Sequence, residues 1–256
     1  MPKFFVCSDI HSFYTPLKKS LDERGFDPNN EDHWLVVCGD CFDRGPESNE
    51  VLKFLMSLER KILVKGNHDI LLDNCCMREY PYTHDHHNGT VQTIEDLGNR
   101  KERPFHECCL VTWNRLARYR ELLVNYFETE NYIFVHSWIP TYIECEGDMK
   151  PWYQRGKRHS YRKDWRNAND MDWEEAMWGN PFTQWQEGLN QTDKTIVFGH
   201  WHCSAGHKML GHCNDEFDSY SVWEPCYADG IIGIDRCTVH TGGVNVIVLE
   251  DNFLAK

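Results

Sequence analysis

Two carboxylates and a guanidinium lie close together in Cys38-Gly39-Asp40-Cys41-Phe42-Asp43-Arg44-Gly45. Asp40 can bridge two metal ions, because a carboxylate has two oxygens and four lone-pair sites. Arg44 offers a planar fork of donors that matches phosphate oxygens. The combination points to metal plus phosphate. In isolation a surface turn closed by a salt bridge would be the better reading. Four other stretches shift that balance. Asp9 and His11 follow Phe4-Phe5-Val6-Cys7-Ser8, and Asn67, His68 and Asp69 follow Lys61-Ile62-Leu63-Val64-Lys65-Gly66. His136 follows Tyr132-Ile133-Phe134-Val135, and His200 and His202 follow Thr195-Ile196-Val197-Phe198-Gly199. Carboxylate, amide oxygen and imidazole together form a donor set for divalent ions. His136 or His200 alone would read as an ordinary core histidine, but the full set does not.

All five polar groups sit just past short apolar runs that read as buried strands. Gly39 and Gly45 permit tight turns around the acidic pair. Between the first three strands lie two helical patterns. Thr15-Pro16 reads as a helix start, Leu17 and Leu21 as its apolar face and Gly25 as its stop. Ser48 reads as the cap of the next, with Val51, Leu52, Leu55 and Leu58 as its buried stripe. This βαβαβ order implies parallel strands with right-handed crossovers. Ligands of open α/β sheets bind at the carboxyl ends of strands, so the five groups are expected to converge.

The series D-x-H, GD-x-x-DR, GNH, H and GH-x-H resembles the calcineurin-like metallophosphoesterase superfamily. It covers nearly the whole chain in family order, and GDCFDRG with GNHD most resembles the phosphoprotein-phosphatase branch of bacteriophage and bacterial type. The resemblance implies one metallophosphoesterase domain over residues 1–256. Its fold would be α/β, with two mixed β-sheets packed as a sandwich and helices outside. It implies two divalent ions, manganese first, with iron, zinc, nickel or magnesium as alternatives. Asp9, His11 and Asp40 would hold one ion, and Asp40, Asn67, His136 and His200 the other. His202 is also carried as a ligand of the first, although the phosphoprotein-phosphatase branch commonly lacks it. His68 would protonate the leaving oxygen, Asp43 would orient His68, and Arg44 would clamp phosphate. The residue-level alternatives are turn caps for Asp43 and His68 and a salt bridge for Arg44. Ser12 stands where close relatives often carry glycine. Family members place a second phosphate-binding arginine after the His136 strand, where Arg155, Arg158, Arg162 and Arg166 are candidates. The implied activity is phosphomonoester hydrolysis, on phosphoprotein or a small phosphoester, by attack of a metal-bridging hydroxide. The alternative is a dinucleoside-polyphosphate hydrolase, such as one acting on diadenosine tetraphosphate, or a phosphodiesterase. A non-catalytic scaffold ranks last because every ligand position is filled.

The remaining features bound this reading. With 256 residues and 41% hydrophobic residues, the chain can build a sizeable core. No apolar run is long enough to span a membrane. The start, Met1-Pro2-Lys3-Phe4, shows no signal-peptide pattern, so a cytoplasmic location is expected. Twelve cysteines without a repeating framework read as free thiols. Cys38 and Cys41 have CxxC spacing but read as packing residues, and Cys203, His207, His212 and Cys213 form only an unspecific zinc pattern. A formal net charge of −13 argues against general nucleic-acid binding. Residues 71–124 read as mostly helical, broken between Pro81 and Gly89. Within that break, His84-Asp85-His86-His87 reads as a solvated loop in preference to a metal site. Asn88-Gly89-Thr90 weakly resembles a substrate-side loop of related phosphatases. The tryptophan-rich stretch 141–191 reads as irregular structure and short helices over the site. Gly230–Asp235 and Val244–Leu249 read as a hairpin-like pair, joined at Thr241-Gly242-Gly243, that extends a second sheet.

Overall fold

The computed structural model describes residues 1–146, 156–190 and 193–254. The chain opens with β1 (Lys3–Cys7), α1 (Tyr14–Glu23), β2 (His33–Cys38), α2 (Ser48–Ser57) and β3 (Lys61–Val64). Five helices follow: α3 (Asn67–Arg78), α4 (Thr83–His87), α5 (Thr90–Gly98), α6 (Phe105–Arg115) and α7 (Ala117–Glu121). Short strands β4 (Leu123–Val124), β5 (Phe127–Glu128) and β6 (Tyr132–Phe134) lead to β7 (Tyr142–Glu146) and β8 (Gly156–Ser160). A 3₁₀ turn at Trp165–Asn167 precedes α8 (Asp170–Ala176), α9 (Pro181–Gln186), β9 (Thr195–His202) and α10 (Cys203–Met209). The last elements are β10 (Cys226–Ala228), β11 (Ile231–Asp235), α11 (Thr238–Thr241) and β12 (Ile247–Glu250).

Side-chain alternation sets the layers. In β1, Phe4 and Val6 face one side and Phe5 and Cys7 the other, as the strand period of two requires. The Phe4 side joins Val36, Cys38, Val64, Phe134, Val197 and Ile234 in an interior shared by two sheets. The Phe5 side packs against Leu17, Leu21, Val51, Leu55 and Ile94 from the helices. On the opposite outer face, Ile133, Ile196 and Phe198 meet Trp138, Trp165, Trp173 and Phe182. The molecule is therefore a sandwich of two mixed sheets with helices outside. One sheet has the order β12-β1-β2-β3-β4 and the other β10-β11-β9-β6-β5. β1 runs parallel to β2, with Phe5 opposite Leu35, and β2 parallel to β3, with Val37 opposite Leu63. β9 is parallel to both β6 and β11. All five site-bearing strands thus end at one edge of the two stacked sheets.

The structure departs from three expectations. Gly230–Asp235 and Val244–Leu249 do not pair. β11 lies in the second sheet beside β9, while β12 crosses to pair antiparallel with β1. The intervening chain forms α11, flanked by the left-handed residues Cys237 and Gly242, which redirect it from one sheet to the other. The hairpin is instead β10–β11, with Ala228 opposite Ile231 across the two-residue Asp229-Gly230 turn. In the tryptophan-rich stretch, β7 and β8 form a separate antiparallel ribbon, with Tyr142 opposite Ser160. Residues 84–87 form most of a short helix where a loop was expected.

Candidate active site

The loops after β1 and β2 are fastened to each other before any side chain is considered. The Asp9 N–H donates to the Gly39 carbonyl at 3.3 Å, His11 N–H to Asp40 O at 3.0 Å and Ser12 N–H to Cys41 O at 2.9 Å. These loops hold their residues in left-handed backbone: Asp9, His11, Ser12, Asp40, Asp43, Arg44 and His200 all have φ between 48° and 73°. Such residues are uncommon outside glycine and cost about 1–3 kcal/mol each, and they cluster at functional sites. Ser12, at φ 59°, occupies a conformation natural to glycine, which accounts for the glycine of related chains. Its hydroxyl pairs with that of Ser48 at 3.0 Å. Gly39 carries no side chain because a Cβ there would lie 2.3 Å from His136 Nδ1.

Two groups of donor atoms result. His11, Asp40 and His68 form one, and Asp40, His136 and His200 the other, with the donor atoms of each within 4.8 Å of one another. Asp40 belongs to both. Asp9 Oδ1 lies 3.8 Å from His11 Nε2, and Asp40 Oδ2 lies 3.8 Å from the same nitrogen. Asn67 Oδ1 is 2.7 Å from His136 Nε2, which is 3.1 Å from His200 Nδ1 and 3.5 Å from Asp40 Oδ1. The tautomers follow from the far side of each ring. His11 Nδ1–H donates to Phe42 O and His136 Nδ1–H to Cys38 O, both at 2.9 Å. In the neutral rings Nε2 is therefore a lone-pair atom, facing carboxylate and amide oxygens that are themselves acceptors. Acceptors turned towards one another in buried space are a donor set for a cation. The carbonyl partners supply the orientation typical of ligating histidines. Burial, aided by Arg44, holds His11 well below the usual histidine range. Burial and the neighbouring His136 push His200 down to about 3. Both rings are thus neutral and able to bind metal.

His68 differs. Its Nδ1–H donates to Asp43 Oδ2 at 2.7 Å, and its Nε2 accepts from Arg44 Nη2 at 3.1 Å. Burial opposes a charge on this ring, but Asp40 and the hydrogen-bonded Asp43 outweigh it and raise its pKa. Arg44 is exposed, and Asp43 is fully buried. Sequence reasoning missed three supports. Thr90 Oγ1–H donates to Asp43 Oδ2 at 2.7 Å, and Thr93 Oγ1 accepts from Asp43 N–H at 3.0 Å. Asp69 accepts from Gly66 N–H and Tyr119 O–H, closing the start of α3 beneath His68; burial raises it to about 7. The weak Asn88-Gly89-Thr90 likeness was the available signal for Thr90, and the aspartate after GNH was the signal for Asp69.

Other candidates lie elsewhere. His202 is in neither donor group. Its Nδ1 is 2.9 Å from Glu216 Oε1 and its Nε2 4.0 Å from Asp235 Oδ2. Arg162 is engaged by Asp172 and Asp164, and Arg166 holds Glu128 through two hydrogen bonds of 2.8 and 2.6 Å. Both guanidinium groups are thus held by local acidic partners. Arg158 is exposed on β8, and Arg155 lies outside the described residues. Cys203, His207, His212 and Cys213 do not converge on one point. Cys203 bonds Gly233 O, Cys213 bonds Ser204 O, and the two histidines pair with each other.

The profile of the family described as calcineurin-like phosphoesterase matches residues 2–204. A symmetrical bis(5'-nucleosyl)-tetraphosphatase of Ectopseudomonas mendocina is 31% identical over 194 residues, covering 75% of this chain and 64% of its own length. The enzyme of the same description from Pseudomonas fluorescens is 33% identical over 140 residues, covering 53% of this chain and 43% of its own. The chain thus spans about two fifths to two thirds of the length of these curated relatives. A crystal structure of a point mutant of a cold-active protein tyrosine phosphatase superposes with a TM-score of 0.54 at 15% identity. That match covers 98% of this chain and 76% of the other, and it shows a shared fold.

Proposed function

Because the chain belongs to the calcineurin-like phosphoesterase family, we propose that it hydrolyses a dinucleoside polyphosphate, cutting the tetraphosphate bridge at its centre. The observation that carries the chemistry is the 3.1 Å contact between Arg44 Nη2 and His68 Nε2, beside two donor groups that share Asp40. It supports a phosphate clamp and a proton carrier that act on one phosphoryl centre. The relatives named as symmetrical tetraphosphatases support the nucleotide substrate over the phosphomonoester or phosphoprotein first inferred.

We assign one divalent ion to Asp9, His11 and Asp40, and the other to Asp40, Asn67, His136 and His200. When bound, such a pair supplies an activated water and neutralises phosphoryl oxygens. The mixed oxygen and imidazole donors suit a transition metal, with manganese the first to test. Asp43, locked by Thr90, keeps the proton of His68 on Nδ1 and leaves Nε2 facing the substrate. Arg44 grips the phosphoryl oxygens, and His68, protonated at Nε2, gives that proton to the leaving oxygen. We leave His202 out of the ligand set. Residues 1–256 are read as one domain, supported by the interior that both sheets share. Eleven free thiols among the described residues support a reducing, cytoplasmic setting. The test is product analysis of diadenosine tetraphosphate incubated with protein and a divalent metal panel. Two molecules of ADP are expected. Turnover of nitrophenyl phosphate with no ADP formed would overturn the nucleotide reading.

A further inference from the structure

A cavity of about 700 Å³ opens beside Arg44, outside both donor groups. His86 and His87 of α4, Gln92 of α5, and Val239 and His240 of α11 line it together with Arg44. Its volume falls in the roughly 300–1,000 Å³ range of ligand pockets. The lining is unusual for this chain. The sequence has 40 Asp and Glu against 27 Lys and Arg, yet among the described residues no carboxylate lines this space. A guanidinium and several imidazoles do, which makes it a place for an anion.

The cavity is held by the site itself. Asp85 is buried and accepts from Arg78 Nη2 at 2.5 Å and from Tyr82 N–H at 2.6 Å, which pins α4. Gly89 then packs on the Arg44 backbone, where a Cβ would sit 2.2 Å from its amide nitrogen. The His84–His87 cluster, read from sequence as a solvated loop, is therefore fixed against Arg44. Direction follows from the same residues. His68 Nε2 meets Arg44 Nη2, and Arg44 borders the cavity, so a group leaving the phosphoryl centre on the His68 side departs past Arg44 into it. The lining residue His240 is backed by the rings of Phe217 at 5.5 Å and Trp223 at 5.2 Å. Phe217 is itself 54% exposed, which leaves aromatic surface for a flat ring.

We propose that this cavity holds the departing nucleoside diphosphate. Arg44, His86 and His87 surround its phosphates, and His240, backed by Phe217 and Trp223, receives its base. The assignment rests on the tetraphosphatase reading. In the step it serves, a water oxygen bonds to phosphorus and the bond from that phosphorus to the bridging oxygen breaks. The bridging oxygen takes a proton from His68, and the water gives up one proton to solvent, from which His68 is recharged.

The experiment compares the wild type with the double variant His86→Ala/His87→Ala and with His240→Ala. Each is assayed on diadenosine tetraphosphate and on nitrophenyl phosphate, and each is titrated with ADP by calorimetry in the metal-loaded form. The expected result is a loss of kcat/KM on the tetraphosphate at least tenfold greater than the loss on nitrophenyl phosphate, carried mainly by KM. ADP binding should weaken by a similar factor. Equal losses on the two substrates, or ADP affinity unchanged in both variants, would overturn the cavity assignment. If the wild type cleaves nitrophenyl phosphate but not the tetraphosphate, the functional reading fails separately. The cavity is then judged by ADP inhibition of nitrophenyl phosphate turnover. Competitive inhibition that the variants lose upholds it, and no inhibition of the wild type overturns it.

Discussion

His68 is the residue whose role separates most cleanly from metal binding. It contacts Asp43 through one nitrogen and Arg44 through the other; it belongs to the donor group of His11 and Asp40, but its Nε2 lies nearer Arg44 Nη2, at 3.1 Å, than Asp40 Oδ2, at 3.9 Å. His68→Asn removes the proton carrier while keeping a polar side chain of related size. A catalytic loss of about 10²–10⁴-fold is expected, the range for removing a general acid. Metal content measured by elemental analysis should stay near that of the wild type. Nitrophenolate and a nucleoside diphosphate leave more readily than an alkoxide, so the loss should be smallest for those substrates and largest for an alkyl phosphate. A uniform loss across leaving groups, or metal lost with activity, would count against the acid role. His68 and Asp43 were legible because their spacing is local to two strand ends. Thr90 and Thr93, which fix Asp43, were not, because they reach it from 47 and 50 residues away. Thr93 carries no mark of such a contact, and Thr90 carries only the weak Asn88-Gly89-Thr90 likeness.

At the scale of elements, the strands were legible where one period held. β1, β2, β3 and β9 are apolar runs ending in metal-type donors, and the structure places all four as expected. The partner of β12 was not legible, because β-branched content identifies a strand without naming its neighbour. In the tryptophan-rich region the short helices α8 and α9 were expected, but the β7–β8 ribbon was not, for a related reason. β7 and β8 pair only with each other, and the sequence gives them no buried face of strict alternation. What anchors the segment after that ribbon is a specific ion pair, Arg166 with Glu128 on β5, reinforced by Lys194 at 2.8 Å from Glu128. The hydrogen bonds from Arg166, with help from Lys194 and against burial, hold the Glu128 carboxyl below its usual range. A depressed carboxylate contributes stability above its unfolded pKa of about 4.3 and loses it as pH falls through the folded value. Glu128→Gln should therefore lower the melting temperature at neutral pH, and the gap from wild type should close as pH falls below about 4. Thermal unfolding of both proteins across that range checks the sign. A gap that widens on acidification would refute the pair's contribution.

At the scale of the whole molecule, convergence was the legible property, and register decided what was not. Asp9, Asp40, Asn67, His136 and His200 are separated by up to 191 residues, yet parallel strands with a common carboxyl edge bring them together. His202, two positions beyond His200, shows the limit. The end of β9 carries a register shift against β11 between Gly233 and Asp235, and His202 there meets Glu216 and Asp235. The gathered site also makes stability depend on metal. Asp9 and Asp40 are both about 2–3% exposed, inside a chain of formal charge −13, and burial raises Asp9 with the Asp40 charge adding to it. Bringing such carboxylates together in the fold is costly until a cation offsets them. Divalent ions that bind the folded chain and not the unfolded one add about 2.7 kcal/mol each at a concentration of 100 Kd. For a chain of this size that corresponds to a rise of roughly 5–10 °C in Tm per ion. Manganese added to chelator-treated protein should raise Tm by this order and load two ions per chain. Asp40→Asn weakens both ion sites at once, so it should load fewer than one ion and abolish most of the rise. His202→Ala should load two ions as the wild type does, because its partners are Glu216 and Asp235. Two results would refute the assignment: full activity in metal-free protein, or a His202→Ala variant that loads a single ion.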